Sequence, residues 1–267
     1  DASFLQTRVA YAVQTDPAAL LSMYAGAIPK GNLAAPETVP NYLFGCYNMA
    51  LTLFLLVPSV TQAFGVSALP SVTRAFQTGD SQKLKRTVEA VLRITFLTAL
   101  PMGVGLSVLA QPTALLIYGA RPGTVIVGRV LTTLGAASVF AALCGPLNSI
   151  LQAMGHVELP VVLTLIGLFV KAVLDYTLAA VPSVNASVLA CIAIRRIAGV
   201  KIDFFSTFKK PFLASVCCGM AALLTHKAWC AVLPESRFSA LPAVFLGALI
   251  YVVFLLIARG ICEEDIK

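Results

Sequence analysis

Charge is what this sequence has least of. Asp, Glu, Lys and Arg make up 12% of its 267 residues, about half of the roughly 25% found in soluble domains. Too little polar surface remains to cover a water-soluble globule, which excludes the one or two soluble domains that length alone would allow. Residues 1–30 lack a basic start, apolar core and small-residue cleavage site in that order, so no secretory signal peptide is read there. The chain opens on Asp1 rather than methionine, and a fragment of a longer protein is expected. Walker-type phosphate loops, nucleophile triads and carboxylate dyads are missing, and ATP hydrolysis by this chain is excluded with them. Cys46, Cys144, Cys191, Cys217, Cys218, Cys230 and Cys262 show neither metal-ligand nor paired spacing. Most lie in apolar stretches, where a free cysteine acts as a small hydrophobe. No enzyme, metal or cofactor is therefore expected.

What the chain does have is long apolar runs. No charge occurs in Thr38–Thr73, Ile94–Tyr118, Val130–Gly155 or Phe238–Ala258. Each is at least as long as the roughly 20 apolar residues a helix needs to cross a bilayer. The fold class is all-α, a polytopic transmembrane helix bundle. The net charge of +7 could suggest nucleic acid, but its distribution argues against that. With the loop after Val72 cytoplasmic, Arg74, Lys83, Lys85, Arg86, Arg93, Arg195, Arg196, Lys201, Lys209, Lys210, Arg259 and Lys267 fall inside. Only Arg8, Lys30, Arg121, Arg129, Lys227 and Arg237 fall outside. Basic residues gathered in alternate loops follow the positive-inside rule and orient the chain in a cell membrane.

Residues 1–40 read as a polar approach on the outer face, with a short helix capped by Asp16-Pro17 and running through Ala25. Residues 41–194 hold the main group of spans, 195–210 form a basic cytoplasmic loop, and 211–267 carry a final pair of spans and a tail. The first span, about Tyr42 to Ala75, contains Pro58 and Pro70. Thr78-Gly79-Asp80-Ser81 makes a turn and a helix cap. Leu84, Val88, Val91, Leu92 and Phe96 recur at helical spacing opposite Lys83, Lys85 and Arg86, which predicts an amphipathic start lying in the membrane interface. The second span runs on to about Tyr118 through Pro101 and Pro112. The third covers about Val125 to Met154 and is expected to break at Gly145-Pro146; the fourth covers about Leu159 to Ala180. Val184–Ile194 is too short to cross, about 16 Å of helix, so residues missing from the chain near Cys191 to Arg195 are expected. Two further spans cover about Pro211 to Cys230 and Phe238 to Ala258.

The order of several short motifs carries a family resemblance. Phe64-Gly65-Val66-Ser67-Ala68-Leu69-Pro70-Ser71-Val72 precedes Gly79-Asp80 and a basic helix. Leu100-Pro101-Met102-Gly103-Val104-Gly105-Leu106 follows, then Leu151-Gln152-Ala153-Met154-Gly155-His156 with Pro160, and Lys171 with Asp175. Over residues 40–180 this resembles the multidrug/oligosaccharidyl-lipid/polysaccharide exporter superfamily, in its stage V sporulation protein B and MurJ-like branch. The resemblance implies the carboxy-terminal half of a fourteen-span, MATE-like flippase fold, with an amino-terminal lobe as missing partner. It also implies a lipid-linked oligosaccharide or peptidoglycan precursor as substrate, moved by alternating access. Asp175 departs from the pattern, which has asparagine there. A cation-coupled drug or metabolite antiporter of the same superfamily and a non-transporting membrane scaffold are the alternatives.

Lys171 is the charge in the least favourable solvent. It stands in the apolar run Leu159–Pro182, four residues before Asp175, a spacing that puts both on one helix face. An intramembrane ionisable residue is a functional hypothesis by default, here a contact to substrate phosphate with Asp175 holding the lysine. A neutralised structural pair is the competing reading, and snorkelling to the interface a third. Asn48 and Gln62 on the first span and Asn148 and Gln152 on the third are candidates for a cavity lining, against plain helix-to-helix hydrogen bonding. Arg93 is either a head-group contact or a positive-inside anchor.

Overall fold

The computed structural model describes residues 27–29, 38–177, 204–232 and 240–257, and for 170–177, 204–210, 230–232 and 255–257 the backbone alone. The short helix expected at Asp16 and the gap expected near Cys191 to Arg195 lie outside the described residues. Every described element is a helix: α1 Val39–Phe54, α2 Leu56–Gln77, α3 Ser81–Val108, α4 Ala110–Tyr118, α5 Thr124–Ala153, α6 Glu158–Thr177, α7 Phe204–Val232 and α8 Ala240–Ile257. Among the described residues, four stretches are long and apolar enough to cross a membrane: Val39–Gln77, Ser81–Val108, Thr124–Ala153 and Pro211–Trp229. Helix α7 begins seven residues before Pro211 and takes Lys209 and Lys210 out of the loop that the sequence suggests.

The prolines divide into two kinds. A proline lacks the N–H that would bond the carbonyl four residues back, and its ring crowds that carbonyl. Pro58 and Pro112 stand at the third position of α2 and α4, and three residues before each a single residue, Leu55 or Leu109, parts that helix from the one before it. At Leu55 the backbone stays helical (φ −68°, ψ −14°) and its amide bonds Leu51 O at 3.0 Å, so Val39–Gln77 remains one span; at Leu109 (φ −97°, ψ 23°) the backbone departs from helical values. Pro101 and Pro146 behave differently: α3 and α5 run through them without interruption. The break expected at Gly145-Pro146 does not occur. Another helix takes up the carbonyl that Pro146 strands, Ala142 O, through the Thr61 hydroxyl of α2 at 2.8 Å.

The turn between α2 and α3 forms as its residues dictate. The Asp80 carboxylate accepts from the Gln82 and Lys83 amides at 3.0 and 2.9 Å, filling two of the unpaired donors at the start of α3. Asp80→Ala is expected to destabilise the fold by about 1 kcal/mol, read as a lowered thermal midpoint of the purified protein in detergent. At the far end of α5, Gly155 takes φ +82°. Its amide bonds Gln152 O at 3.0 Å and the next amide, of His156, bonds Leu151 O at 3.2 Å. This pair of bonds is a Schellman end, which glycine adopts without the steric cost of a Cβ.

The beginning of α3 corrects one expectation. Leu84, Val88, Val91, Leu92 and Phe96 are all buried, packed with Val72, Leu143, Leu147, Ile150 and Leu151. The apolar stripe faces the protein core, because α3 continues as one helix from Ser81 and α2 and α5 lie against that face.

Helix α5 is the hub, with α1, α2, α3 and α4 packed around it. Its approach to its neighbours is backbone-close: a Cβ at Gly65 would stand 2.7 Å from the Pro146 Cα, and one at Gly135 would stand 2.5 Å from the Ser107 nitrogen. Small residues at such crossings are what lipid-embedded helices use, since apolar side chains gain nothing by leaving lipid for protein. The pair α7–α8 packs on α3. Helix α6 touches the body mainly through α5, with Leu159 and Leu163 on the core. Its Val161, Val162, Leu165, Leu168 and Phe169 are exposed.

Candidate functional site

Among the described residues, every buried side-chain nitrogen and oxygen has a hydrogen-bond partner. The threonines and serines inside the bundle mostly bond their own helix, as Thr95 does to Val91 O at 2.8 Å and Ser215 to Pro211 O at 2.7 Å. The polar groups that need an explanation are therefore on the outside, at membrane depth.

They are not scattered. On α1, Asn48 and Thr52 are exposed one turn apart, with the Thr52 hydroxyl donating to Asn48 O at 3.0 Å. On α2, Ser59 and Gln62 are exposed one turn apart. The Gln62 side chain lies across Gly145 of α5, occupying the space a Cβ there would fill. Gly145, Asn148 and Gln152 follow one another at three and four residues, so they share one face of α5. Asn148 is half-buried and Gln152 exposed. Along the α2–α5 seam, Gln62 thus meets α5 at Gly145, the residue that opens the face carrying Asn148 and Gln152, while Asn48 and Thr52 lie on the helix before.

The other candidates lie elsewhere. Arg93 is half-buried on α3, one turn before Leu97. Leu97 packs against Ala214, Cys218 and Tyr251 of the final pair, so Arg93 belongs to the face of α3 turned toward α7 and α8, away from the polar seam. Lys171 and Asp175 lie in α6, whose backbone is helical through both; their side chains lie outside the described residues. Arg129, on the outer side and within the third span as read from the sequence, lies in α5 and is exposed, with Thr133 exposed one turn further on. Thr61, whose hydroxyl bonds Ala142 O of α5, is legible only once α5 is in place beside α2.

In hydrocarbon, side-chain amides without partners are costly, so such a seam needs protein or water over it. The long apolar helices define a multi-pass membrane protein. A family model described as the lipid II flippase MurJ matches residues 44–258. The chain belongs to the lipid II flippase MurJ family. A curated relative, lipid II flippase MurJ of Bacillus subtilis (strain 168), is 25% identical over 159 residues, which is 59% of this chain and 29% of that protein. A solved structure of lipid II flippase MurJ in an inward closed conformation superposes with a TM-score of 0.62 at 19% identity, covering 81% of this chain and 47% of that one. The likeness to that structure concerns the fold. The chain spans less than half the length of either relative it matches.

Proposed function

We propose that this chain is the carboxy-terminal half of a flippase that moves a lipid-linked cell-wall precursor across the cytoplasmic membrane. The observation that carries the reading is the exposed polar seam of Gln62, Asn148 and Gln152, set among apolar spans in a chain of this family. A second lobe closing over that seam would leave a wet cavity, in which amides can hold a sugar and phosphate head while the lipid tail stays in the bilayer. Lys171, four residues before Asp175, is the cation assigned to the phosphates. No bond is made or broken in such a cycle; the protein alternates between two openings. The turns between spans, and the helix turns before Pro58 and Pro112 where each proline leaves one backbone hydrogen bond unmade, are where bending is least costly.

Gln62→Leu and Asn148→Leu, made together in the full-length protein, test the reading. Flipping of a fluorescent lipid-linked precursor in vesicles is expected to fall roughly tenfold, corresponding to about 1–1.5 kcal/mol for a lost hydrogen bond. Thermal stability is expected to hold or rise. Full flipping activity with both amides gone would remove the seam from the substrate path.

A further inference from the structure

Pro70, Pro101, Pro146 and Pro211 stand well inside described helices, and at Pro101 the carbonyl left without its helix donor is Leu97 O. Its replacement partner comes from the far end of the chain. The Tyr251 hydroxyl of α8 donates to Leu97 O at 2.7 Å, across 154 positions of sequence. Tyr251 is itself buried, with Ala214 and Cys218 of α7 beside it and Leu97 and Phe254 packed against them. Within the pair, the Cys218 thiol donates to Gly247 O at 3.1 Å, and Gly219 lets α7 approach Val104 of α3. Apolar contacts between the pair and the body include Ala222 and Ala243 against Leu109, with Val108 packed on them. Apolar contacts of this kind are nearly equivalent to contacts with lipid and give a helix pair little reason to stay in one register.

We infer that Tyr251 is a positioning residue that pins the α7–α8 pair to the body at the Pro101 bend, by capping the carbonyl which that proline leaves without a donor. The bond is specific where the surrounding contacts are not. An ordinary helix carbonyl is already bonded within its own helix and gains little from a second donor, whereas a proline-stranded carbonyl in a membrane has no water to turn to. Pro101 thus makes the acceptor and Tyr251 uses it, so that the final pair moves with α3 as one body. Thr61 and Ala142 O form the same arrangement between α2 and α5 at Pro146, although Thr61 also lies 3.0 Å from Pro58 O of its own helix. The inference concerns the assembly of this chain and stands whether or not the substrate is a lipid-linked precursor.

A double-mutant cycle on the full-length protein in detergent tests it. Tyr251→Phe is expected to lower the thermal midpoint by about 2–4 °C. In a Pro101→Ala background, where residue 101 regains the N–H that bonds Leu97 O, the same substitution is expected to cost less than half as much. Equal losses in the two backgrounds would overturn the inference, and so would no loss in either. Hydrogen exchange of the Tyr251→Phe protein gives an independent reading that does not require the proline variant. Amides of α7 and α8 are expected to exchange at least threefold faster while those of α1, α2 and α5 keep their rates. Unchanged exchange in α7 and α8 would overturn it as well.

Discussion

Lys171→Ala in the complete protein is expected to lower flipping of a fluorescent lipid-linked precursor by roughly ten- to a hundredfold, the loss that corresponds to a hydrogen bond to a charged group, about 1.5–3 kcal/mol. A lysine in the middle of a span is disfavoured by about 2.5–3.5 kcal/mol on insertion scales, a cost that a purely structural residue would have no reason to carry. Lys171→Arg keeps the charge and is expected to restore at least part of the flipping. Asp175→Asn is expected to be tolerated, since the substrate phosphate needs the cation and not the pair. A structural pair behaves in the opposite way. Removing either partner would then strand the other charge and destabilise the protein, and the double change to neutral residues would recover both folding and transport. Thermal stability measured beside flipping separates the two, and a fully active double-neutral variant would end the phosphate-binding role assigned to Lys171.

Gly135→Leu is expected to prevent assembly of the bundle. The new Cβ alone would stand 2.5 Å from the nitrogen and 2.7 Å from the Cα of Ser107. These are backbone atoms of a continuous helix, so no side chain can turn aside to relieve the clash. Helices α3 and α5 would have to separate at this crossing, near the end of α3 at Val108. Ordinary overpacking costs about 1–3 kcal/mol; here the loss is expected to exceed that range, seen as aggregated material in size-exclusion chromatography. Gly105→Ala is the control. Nothing stands within 4 Å of the position its Cβ would take, and replacing a helical glycine there is expected to leave the stability unchanged or raise it slightly, by up to ~1 kcal/mol. A Gly135→Leu protein that folds with an unchanged midpoint would contradict the α3–α5 contact.

Much of the architecture is written in local chemistry. Apolar run length determined which segments become spans, because a helix that satisfies its own backbone is one of the few structures a bilayer accepts. Asp80 and Gly155 determined where α3 begins and α5 ends, since a capping carboxylate and a left-handed glycine act within a few residues of themselves. The polar character of Asn48, Gln62, Asn148 and Gln152 was equally plain from their types. Other properties depended on residues far apart. A proline announces a stranded carbonyl and nothing more. The helices run on through Pro101 and Pro146, and for each stranded carbonyl a neighbouring helix supplies the donor. At Pro101 and Pro146 the carbonyl partners came from 154 and 81 positions away. Helical spacing likewise showed that Leu84, Val88 and Leu92 share a face, but not whether lipid or protein would cover it. Only the packing of α2 and α5 against α3 decided that, because an apolar stripe is equally at home in either and its sequence pattern is the same for both.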